Sequence, residues 1–251
     1  MGSDCFWLTD DRFARLKPHL PTKTRGVPRV DDRRVIISGI VHVLRSGGRW
    51  ADAPAVYGPR KTLYNRYVRW AVRGVWRRLF LALVAEAGPA DHVMIDSSAV
   101  KAHRSAAGGK GGRNQAVGRS RGGRTKIRAL TDREGRPIAF LLTGGQVADC
   151  SAGATLLAEL PAARMLHGDK GYDSDAIRRQ AEAAGVRPNI PPKSNRRWKP
   201  CFSPALYRDR NAIERMFCRL KDFRRDATRY DRNATSFLAA VHIAAIVSHW
   251  L

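Results

Sequence analysis

The chain has 251 residues, of which 43% are hydrophobic, so it can bury the core of one substantial domain plus a smaller one. Lys and Arg number 46 against 22 Asp and Glu, and this net charge of +24 predicts a polyanionic partner such as nucleic acid. The four cysteines lack the spacing of zinc sites, and no apolar run is long enough to span a membrane. Because the N-terminal residues lack the order of a secretory signal, we expect a cytoplasmic, nucleoid-associated protein.

Residues 1–88 show helical apolar spacing and predict a small helical, helix-turn-helix-like DNA-binding domain. The expected helices are Phe6–Leu16, Arg34–Leu44, and Thr62–Val72 running on through Val75–Val84. Four cations lie on or beside the last of these helices, namely Lys61, Arg66, Arg69 and Arg73. They are candidates for contacts to DNA bases and phosphates in a groove. The alternative is a solvated helix face that packs on the rest of the protein.

Residues 89–251 change to short β-rich runs that later alternate with helices, which predicts an α/β domain with a mixed sheet. The expected strands are His92–Ile95, Ile127–Thr131, Ile138–Leu142, Met165–His167 and Val186–Ile190, and the expected helices are Ala152–Leu160 and Asp175–Ala184. A basic, glycine-rich loop over 105–123 carries Lys110, Arg113, Arg119 and Arg121. This loop is expected to lie on a phosphate backbone, or else to be a solvated insertion.

Two aspartates follow apolar strands of the predicted sheet. Asp96 comes directly after Val93-Met94-Ile95, and Asp169 follows Leu166-His167-Gly168 and precedes Lys170. Ligands of α/β sheets gather beyond the carboxyl ends of parallel strands, so both carboxylates would meet if these strands were neighbours. A single aspartate at such a position is more often a turn or cap residue, so the pair needs a third member.

Glu214 is that third candidate, in a helix predicted from Ala205 to Phe223. Tyr207, Arg210, Glu214 and Lys221 fall on one narrow stripe of this helix, because seven-residue steps nearly repeat the helical azimuth. A solvated charged face is the alternative. An acid surrounded by cations, however, is typical of a metal site that acts on DNA.

Three converging carboxylates favour Mg²⁺, with Mn²⁺ able to substitute, because these hard ions prefer oxygen ligands and keep positions open for phosphates. Two such ions stabilise both the attacking and the leaving oxygen of an in-line displacement at phosphorus. We therefore expect Asp96, Asp169 and Glu214 to be catalytic residues and ligands of two metal ions.

At these positions the sequence resembles the DDE transposases of bacterial insertion sequences, in the insertion sequence four/five-like group. Tyr207, Arg210, Glu214 and Lys221 match the family's Y-(2)-R-(3)-E-(6)-K signature at every step. The segment 94–98 looks like its first-acid motif, and 167–173 looks like its second. The resemblance runs over nearly the whole chain, including the motif at 45–50.

This resemblance implies an RNase H-like catalytic domain, Mg²⁺-dependent cleavage at the terminal inverted repeats, and attack of the freed 3′ hydroxyl on target DNA. Arg210 and Lys221 would hold DNA near the scissile phosphate, with Tyr207 stacking or hydrogen bonding nearby and Lys170 adding a cation. By analogy the DNA-bound form would be a homodimer, and no membrane is involved. The alternatives are a catalytically decayed transposase that only binds DNA, and a related metal-dependent nuclease.

One stretch departs from the family. Around Arg124–Arg128 the family usually has a second threonine and a histidine where Arg128 stands, so one residue appears missing. Such a loss would turn the following side chains to the opposite face of the strand unless a bulge or loop absorbs it. Elsewhere in the sequence, His167 is expected to have a structural role and Asp173 is expected to cap the next helix. Asp149 is a reserve acid.

Overall fold

The structure, a computed structural model, describes residues 5–22, 33–107, 115–118 and 123–251 of the chain. In those ranges the α-helices are α1 (Asp10–Leu16), α2 (Arg33–Ser46), α3 (Arg60–Val72), α4 (Val75–Glu86), α5 (Arg104–Ala107), α6 (Asp149–Leu156), α7 (Asp175–Ala183), α8 (Pro204–Tyr207), α9 (Asn211–Lys221), α10 (Arg224–Ala227) and α11 (Ala234–Ala245). The strands are β1 (His92–Ala102), β2 (Arg124–Thr131), β3 (Pro137–Gly144), β4 (Met165–Gly168), β5 (Arg187–Asn189) and β6 (Thr228–Arg229).

The strands form one mixed sheet in the order β3-β2-β1-β4-β5, with β6 paired to the far end of β1. β2 pairs antiparallel with both β1 and β3, whereas β4 runs parallel to β1 and β5 runs parallel to β4. The parallel strands need crossovers, and α6 and α7 supply them. The mixed α/β sheet expected from the sequence is therefore confirmed.

The first strand is much longer than the sequence predicted. It continues past Ile95 to Ala102, because β2 pairs with it from Met94 opposite Thr131 to Lys101 opposite Arg124. The parallel partner β4 stops earlier, with Ile95 beside Gly168. The prediction that the strand ends at Asp96 is thus wrong, and what ends there is the parallel pairing.

The β2 strand that carries the family departure pairs with β1 in an unbroken register. Its pairing with β3 contains one irregularity, between Leu130 and Thr131 next to the turn. Ile127 and Ala129 lie in the larger core on one face of the sheet, and the Arg128 side chain is buried. A local irregularity of this kind is how a strand absorbs a change of one residue.

A helical layer covers one face of the sheet, and α6 and α7 cover the other. The larger hydrophobic core joins α2, α3 and α4 to α9, α11 and the inner sheet face, and the smaller core lies beneath α6 and α7. The helix predicted to run on from Val72 is interrupted, because Gly74 adopts a left-handed conformation with φ of 66°. Residues from both sides of position 88 share the larger core, and the division into domains at that position stays a prediction.

None of the helices in the described ranges is both long and apolar enough to cross a membrane. The C-terminal apolar stretch forms α11, which packs against α3, α4 and β3. Its apolar residues are thus buried in the larger core.

Candidate active site

The two aspartates lie side by side where the parallel pairing of β1 and β4 ends. Ile95 pairs with Gly168, so Asp96 and Asp169 are the next residues along two neighbouring parallel strands. Oδ1 of Asp96 accepts a hydrogen bond from the amide of Ser97 at 2.7 Å, and Oδ1 of Asp169 accepts one from the amide of Gly171 at 2.9 Å. Backbone donors therefore fix one oxygen of each carboxylate, and the other oxygen of each remains for further contacts.

Arg210 connects Asp96 with Glu214 on the helical side of the sheet. One guanidinium nitrogen donates to Oδ2 of Asp96 at 2.7 Å, and another donates to Oε1 of Glu214 at 2.7 Å. The side chains of Arg210 and Asp96 are nearly buried, whereas that of Glu214 is 54% exposed. The sequence prediction that Glu214 borders the apolar face of its helix fits this placement, since Ile213 and Phe217 beside it are buried.

The electrostatics of this group are strongly coupled. Burial raises the pKa of the Asp96 carboxyl above its ordinary value, and repulsion from Asp169 and Glu214 acts in the same direction. Arg210 and the Ser97 amide oppose that rise. Burial disfavours the charged guanidinium, but the combined attraction of Asp96, Tyr207, Glu214 and Asp169 outweighs it and raises the pKa of Arg210. The three acids are thus near enough to repel one another, with Arg210 as the cation between two of them.

The helix expected over Ala205–Phe223 is not continuous. It begins with α8, capped by the Ser203 hydroxyl, passes through a 3-10 turn at Arg208–Arg210, and resumes as α9. The prediction of a single α-helix is therefore wrong, because one turn of the tighter 3-10 helix interrupts it just before Asn211. The guanidinium carbon of Arg210 still lies 5.7 Å from the ring centre of Tyr207, so these two side chains remain neighbours.

An aromatic and proline-lined cleft of about 480 Å³ opens beside Asp169. Its walls are Asp169, Lys170, Pro191, Phe202, Pro204 and Tyr207. Phe202 and Tyr207 meet edge to face with ring centres 5.3 Å apart. The Lys170 and Lys221 side chains are exposed. The cleft therefore combines flat apolar walls with a cation at its rim and a carboxylate at its end.

The donor chemistry of Asp96, Asp169 and Glu214 fits a hard divalent cation, since all three offer carboxylate oxygens to one region. In the described part of the chain, no three acidic, histidine or cysteine side chains form a closed metal-binding group. The guanidinium of Arg210 lies between Asp96 and Glu214 and forms an ion pair with each. Arg210 thus competes with a metal ion for one oxygen of Asp96 and one oxygen of Glu214.

A second charged cluster lies on the opposite face of β1 around Asp149, which the sequence suggested only as a reserve acid. Oδ1 of Asp149 accepts hydrogen bonds from Arg128 at 2.5 Å, Lys126 at 3.1 Å and the Ser97 hydroxyl at 3.2 Å. These donors outweigh the effect of burial and lower the pKa of Asp149. Part of the signal was available, because Arg128 lies in the strand predicted at Ile127–Thr131 and Lys126, two residues earlier, would share its face if that strand began sooner.

Asp173 and His167, which lie near Asp169 in the sequence, make structural contacts. Ser174, and not Asp173 as expected, caps α7, because the Ser174 hydroxyl accepts from the amide of Ile177. Asp173 is buried and pairs with Arg178 and Arg196. His167 is buried against His92 and Asn189, and burial lowers the pKa of His167 to about 4.

The cations expected in the helical unit are spread along one helix. Lys61 and Arg69 on α3, and Arg73 just after it, are exposed. Arg66 is half-buried, with its guanidinium carbon 5.2 Å from the ring centre of Trp70. The expected loop contacts Lys110, Arg113, Arg119 and Arg121 lie outside the described residues.

Comparisons with known proteins identify both parts of the chain. Residues 8–80 match a family described as a transposase of the IS4/5 family, and residues 87–248 match the family described as "Transposase DDE domain". A protein named y4sN from Sinorhizobium fredii is 38% identical over 115 residues, which is 44% of this chain and 90% of that protein. A Brucella ovis protein named as a transposase for insertion sequence element IS6501 is 33% identical over 129 residues, 51% of this chain and 98% of that protein.

A solved structure shares the fold. The piggyBac transposase, in a synaptic complex with hairpin DNA, superposes with a TM-score of 0.52 at 11% identity over 95% of this chain and 69% of that one. At this identity the likeness shows the fold alone, and it confirms the RNase H-like α/β architecture expected from the sequence. With the transposase DDE domain matching over most of the length, the chain belongs to the DDE transposases of bacterial insertion sequences, enzymes that cleave and join DNA.

Proposed function

We propose that this transposase binds the terminal inverted repeats of its insertion sequence and catalyses cleavage and strand transfer with two Mg²⁺ ions held by Asp96, Asp169 and Glu214. Mn²⁺ would substitute for Mg²⁺, because both ions prefer oxygen ligands in octahedral sites. The observation that carries this proposal is the meeting of Asp96 and Asp169 on adjacent parallel strands, with Glu214 linked to Asp96 through one guanidinium.

The bound ions would supply Lewis-acid stabilisation of the charge that develops on the phosphate oxygens during in-line displacement. The chain's own task is to hold the carboxylates in place and to bring the DNA backbone to them. Ser97 and Gly171 amides fix one oxygen of each aspartate, which reduces the freedom of those side chains. Repulsion among the three acids, which contributes to the raised pKa of Asp96, is relieved by any cation that they share.

Arg210 is proposed to exchange partners when DNA binds. Its guanidinium now pairs with two carboxylates, and the same planar fork suits two oxygens of a phosphate. Release of Arg210 would free Asp96 and Glu214 as ligands at the moment when the backbone arrives. Lys170 and Lys221 would add positive charge along the path of the strand.

The cleft beside Asp169 is proposed to accept an unpaired base at the DNA end. Tyr207 and Phe202 provide aromatic faces, and base stacking on such faces contributes about 1 to 3 kcal/mol per base. The Arg210 guanidinium near the Tyr207 ring places a phosphate-binding group next to the stacking surface. This arrangement suits a DNA end whose terminal pair has opened.

Residues 1–88 are proposed as the DNA-binding domain that recognises the terminal repeats. Exposed Lys61, Arg69 and Arg73, together with Arg66, would contact the duplex, and Arg119 and Arg121 of the glycine-rich loop would add phosphate contacts. Two ends must be joined in one event, so we also propose a homodimer assembled on DNA.

A cleavage and joining assay tests the catalytic assignment. The chain is incubated with a labelled terminal-repeat duplex, Mg²⁺ and target plasmid, and Asp96→Asn, Asp169→Asn and Glu214→Gln are expected to abolish both products while retaining DNA binding. Glu182→Gln, which changes an exposed carboxylate on α7, serves as the matched control and should retain both. Cleavage without joined product would indicate a nuclease, and DNA binding that is unaffected by Mg²⁺ and never followed by cleavage would indicate a decayed transposase.

The DNA-binding assignment has a separate test in the salt dependence of binding. Arg69→Ala and Arg73→Ala should each reduce the slope of log K against log salt by about 0.9, as expected for one lost phosphate contact. Arg179→Ala removes an exposed arginine from α7 and should leave the slope unchanged. An equal slope in all variants would remove α3 from the DNA interface.

A further inference from the structure

Asp149 is the centre of a hydrogen-bonded network next to the two proposed catalytic aspartates. One of its oxygens accepts from Arg128, Lys126 and the hydroxyl of Ser97. Arg128 has a fully buried side chain, and its other nitrogens donate to the carbonyl of Val147 at 2.7 Å and to the hydroxyl of Thr143 at 3.2 Å. The carboxylate is therefore held in one position by a cation that itself has little freedom to move.

The network reaches the backbone next to each of the two aspartates. Ser97, which donates its hydroxyl to Asp149, directly follows Asp96 and donates its amide to the Asp96 carboxylate. On the other side, a side-chain carbon at position 171 would lie 2.9 Å from Oδ1 of Asp169 and 3.3 Å from Oδ2 of Asp149. Gly171 thus separates these two carboxylates with no space for a larger residue.

A second link joins the same helix to this loop. Cys150, the residue after Asp149, donates its thiol to the carbonyl of Gly171 at 2.8 Å. The amide of Gly171 in turn donates to Asp169. The first turn of α6 therefore contacts the short segments that present both Asp96 and Asp169.

Asp149 does not itself face the proposed reaction. In the antiparallel pairing, Asp96 lies opposite Ala129 and Ser97 lies opposite Arg128, and successive residues of a strand point to opposite faces. Asp96 and Arg210 thus occupy one face of the sheet, and Asp149 and Arg128 occupy the other. Any effect of Asp149 on the chemistry must act through Ser97 and Gly171.

We propose that Asp149 is a positioning residue that sets the separation of the Asp96 and Asp169 carboxylates and thereby the affinity of the site for divalent metal. This inference rests on the proposed function, because it takes both aspartates as metal ligands. Loss of a group that hydrogen bonds to a metal ligand typically weakens metal binding by about 10- to 100-fold.

The test measures Mn²⁺ binding to the full chain without DNA, by the loss of the free Mn²⁺ signal in electron paramagnetic resonance. Asp149→Asn is expected to weaken Mn²⁺ binding about tenfold, and Ser97→Ala by a smaller factor. Ser97→Thr, which keeps the hydroxyl, should restore the affinity. Asp132→Asn is the matched control, because Asp132 also pairs with an arginine but lies at the β2–β3 turn.

The outcomes separate the positioning role from a purely structural one. Asp149→Asn leaves Arg128 without its carboxylate and can unfold the chain, in which case the Ser97 pair decides, since it leaves no buried charge unpaired. Unchanged Mn²⁺ affinity in Ser97→Ala and in folded Asp149→Asn would overturn the inference. Asp96→Asn and Asp169→Asn are measured alongside, and retained Mn²⁺ binding in those variants would instead refute the proposed metal site.

Discussion

Two clusters in this transposase each combine one arginine with two acids, and they differ in their access to solvent. In the open site, where the parallel pairing of β1 and β4 ends, Arg210 pairs with Asp96 and Glu214 beside a cleft. In the closed cluster, formed by Arg225, Asp226 and Asp231 below α3, the acids are almost completely buried. The open site is therefore accessible from solvent, whereas the acids of the closed cluster are not.

The hydrogen bonding of the closed cluster is incomplete. Among the described residues, neither carboxylate oxygen of Asp226 has a hydrogen-bond partner, and the nearest approach of Arg225 to Asp231 is 4.0 Å. Burial, followed by repulsion from Asp231, raises the pKa of Asp226 well above its ordinary value. Arg225 is instead held by the carbonyl of Gly48, which connects α10 to the loop after α2. Buried charge here joins two parts of the fold.

A raised pKa does not by itself identify a catalytic acid. Asp96 and Asp226 both have raised pKa values through burial. Of these two acids, Asp96 lies beside a second acid on a neighbouring strand end, pairs with Arg210 and has a cleft nearby. The position of Asp96 where the parallel pairing of β1 and β4 ends, and not its burial, distinguishes the proposed catalytic group from the closed cluster.

The largest expected effect separates the two clusters by activity. Asp96→Asn should reduce DNA cleavage by at least about 10³-fold, because it removes a metal ligand and several kcal/mol of transition-state stabilisation. Asp226→Asn should retain cleavage within about threefold, since Asp226 lies outside the proposed catalytic group and an amide has nearly the same shape as the carboxyl group. Single-turnover cleavage rates of the two variants give the comparison, and an equal loss in both would erase the distinction.

An intermediate effect concerns the two arginines. Arg225→Met should lower the free energy of unfolding by about 3 kcal/mol, because it leaves two buried acids without their cation and removes the bond to Gly48. Arg210→Met should lower it by less, because Glu214 is largely exposed and remains hydrated. Urea unfolding of both variants measures the difference. A larger loss for Arg210→Met would show that the open site is the more important structural element.

The smallest effect is a difference in the sign of pH dependence. The raised pKa of Asp226 means that the folded chain binds its proton more tightly, so wild type loses stability relative to Asp226→Asn as pH rises above about 4. The lowered pKa of Asp149 has the opposite sign, so its stabilisation is present above about pH 4 and is lost below it. Unfolding free energies at several pH values for both Asn variants should diverge in these directions, and parallel curves would contradict the assignments.

Much of the open site could be predicted from the sequence, because its residues follow local patterns. Asp96 and Asp169 end apolar runs, and the spacing of Arg210 and Glu214 by four residues makes them neighbours on a helix. The closed cluster has no such pattern: Arg225 and Asp226 look like the solvated end of a charged helix. Their burial depends on α3 and on the loop after α2, more than 150 positions away in the chain.

Other differences also arise from contacts distant in sequence. The length of β1 is set by its antiparallel partner, and the role of Asp149 depends on Arg128 of another strand. The tightened turn at Arg208–Arg210 brings Arg210 to Asp96, 114 positions earlier in the chain. Local propensity favours one continuous helix there, and the tertiary ion pair accompanies the interruption.

The most direct test of the metal site is a crystal structure of the chain with terminal-repeat DNA and Mn²⁺, with anomalous diffraction used to locate the metal. We predict Mn²⁺ peaks within about 2.1 Å of oxygens of Asp96, Asp169 and Glu214, with Arg210 turned from the carboxylates to a phosphate. A DNA-bound structure in which Arg210 still bridges Asp96 and Glu214, and Mn²⁺ binds elsewhere, would contradict the proposed mechanism.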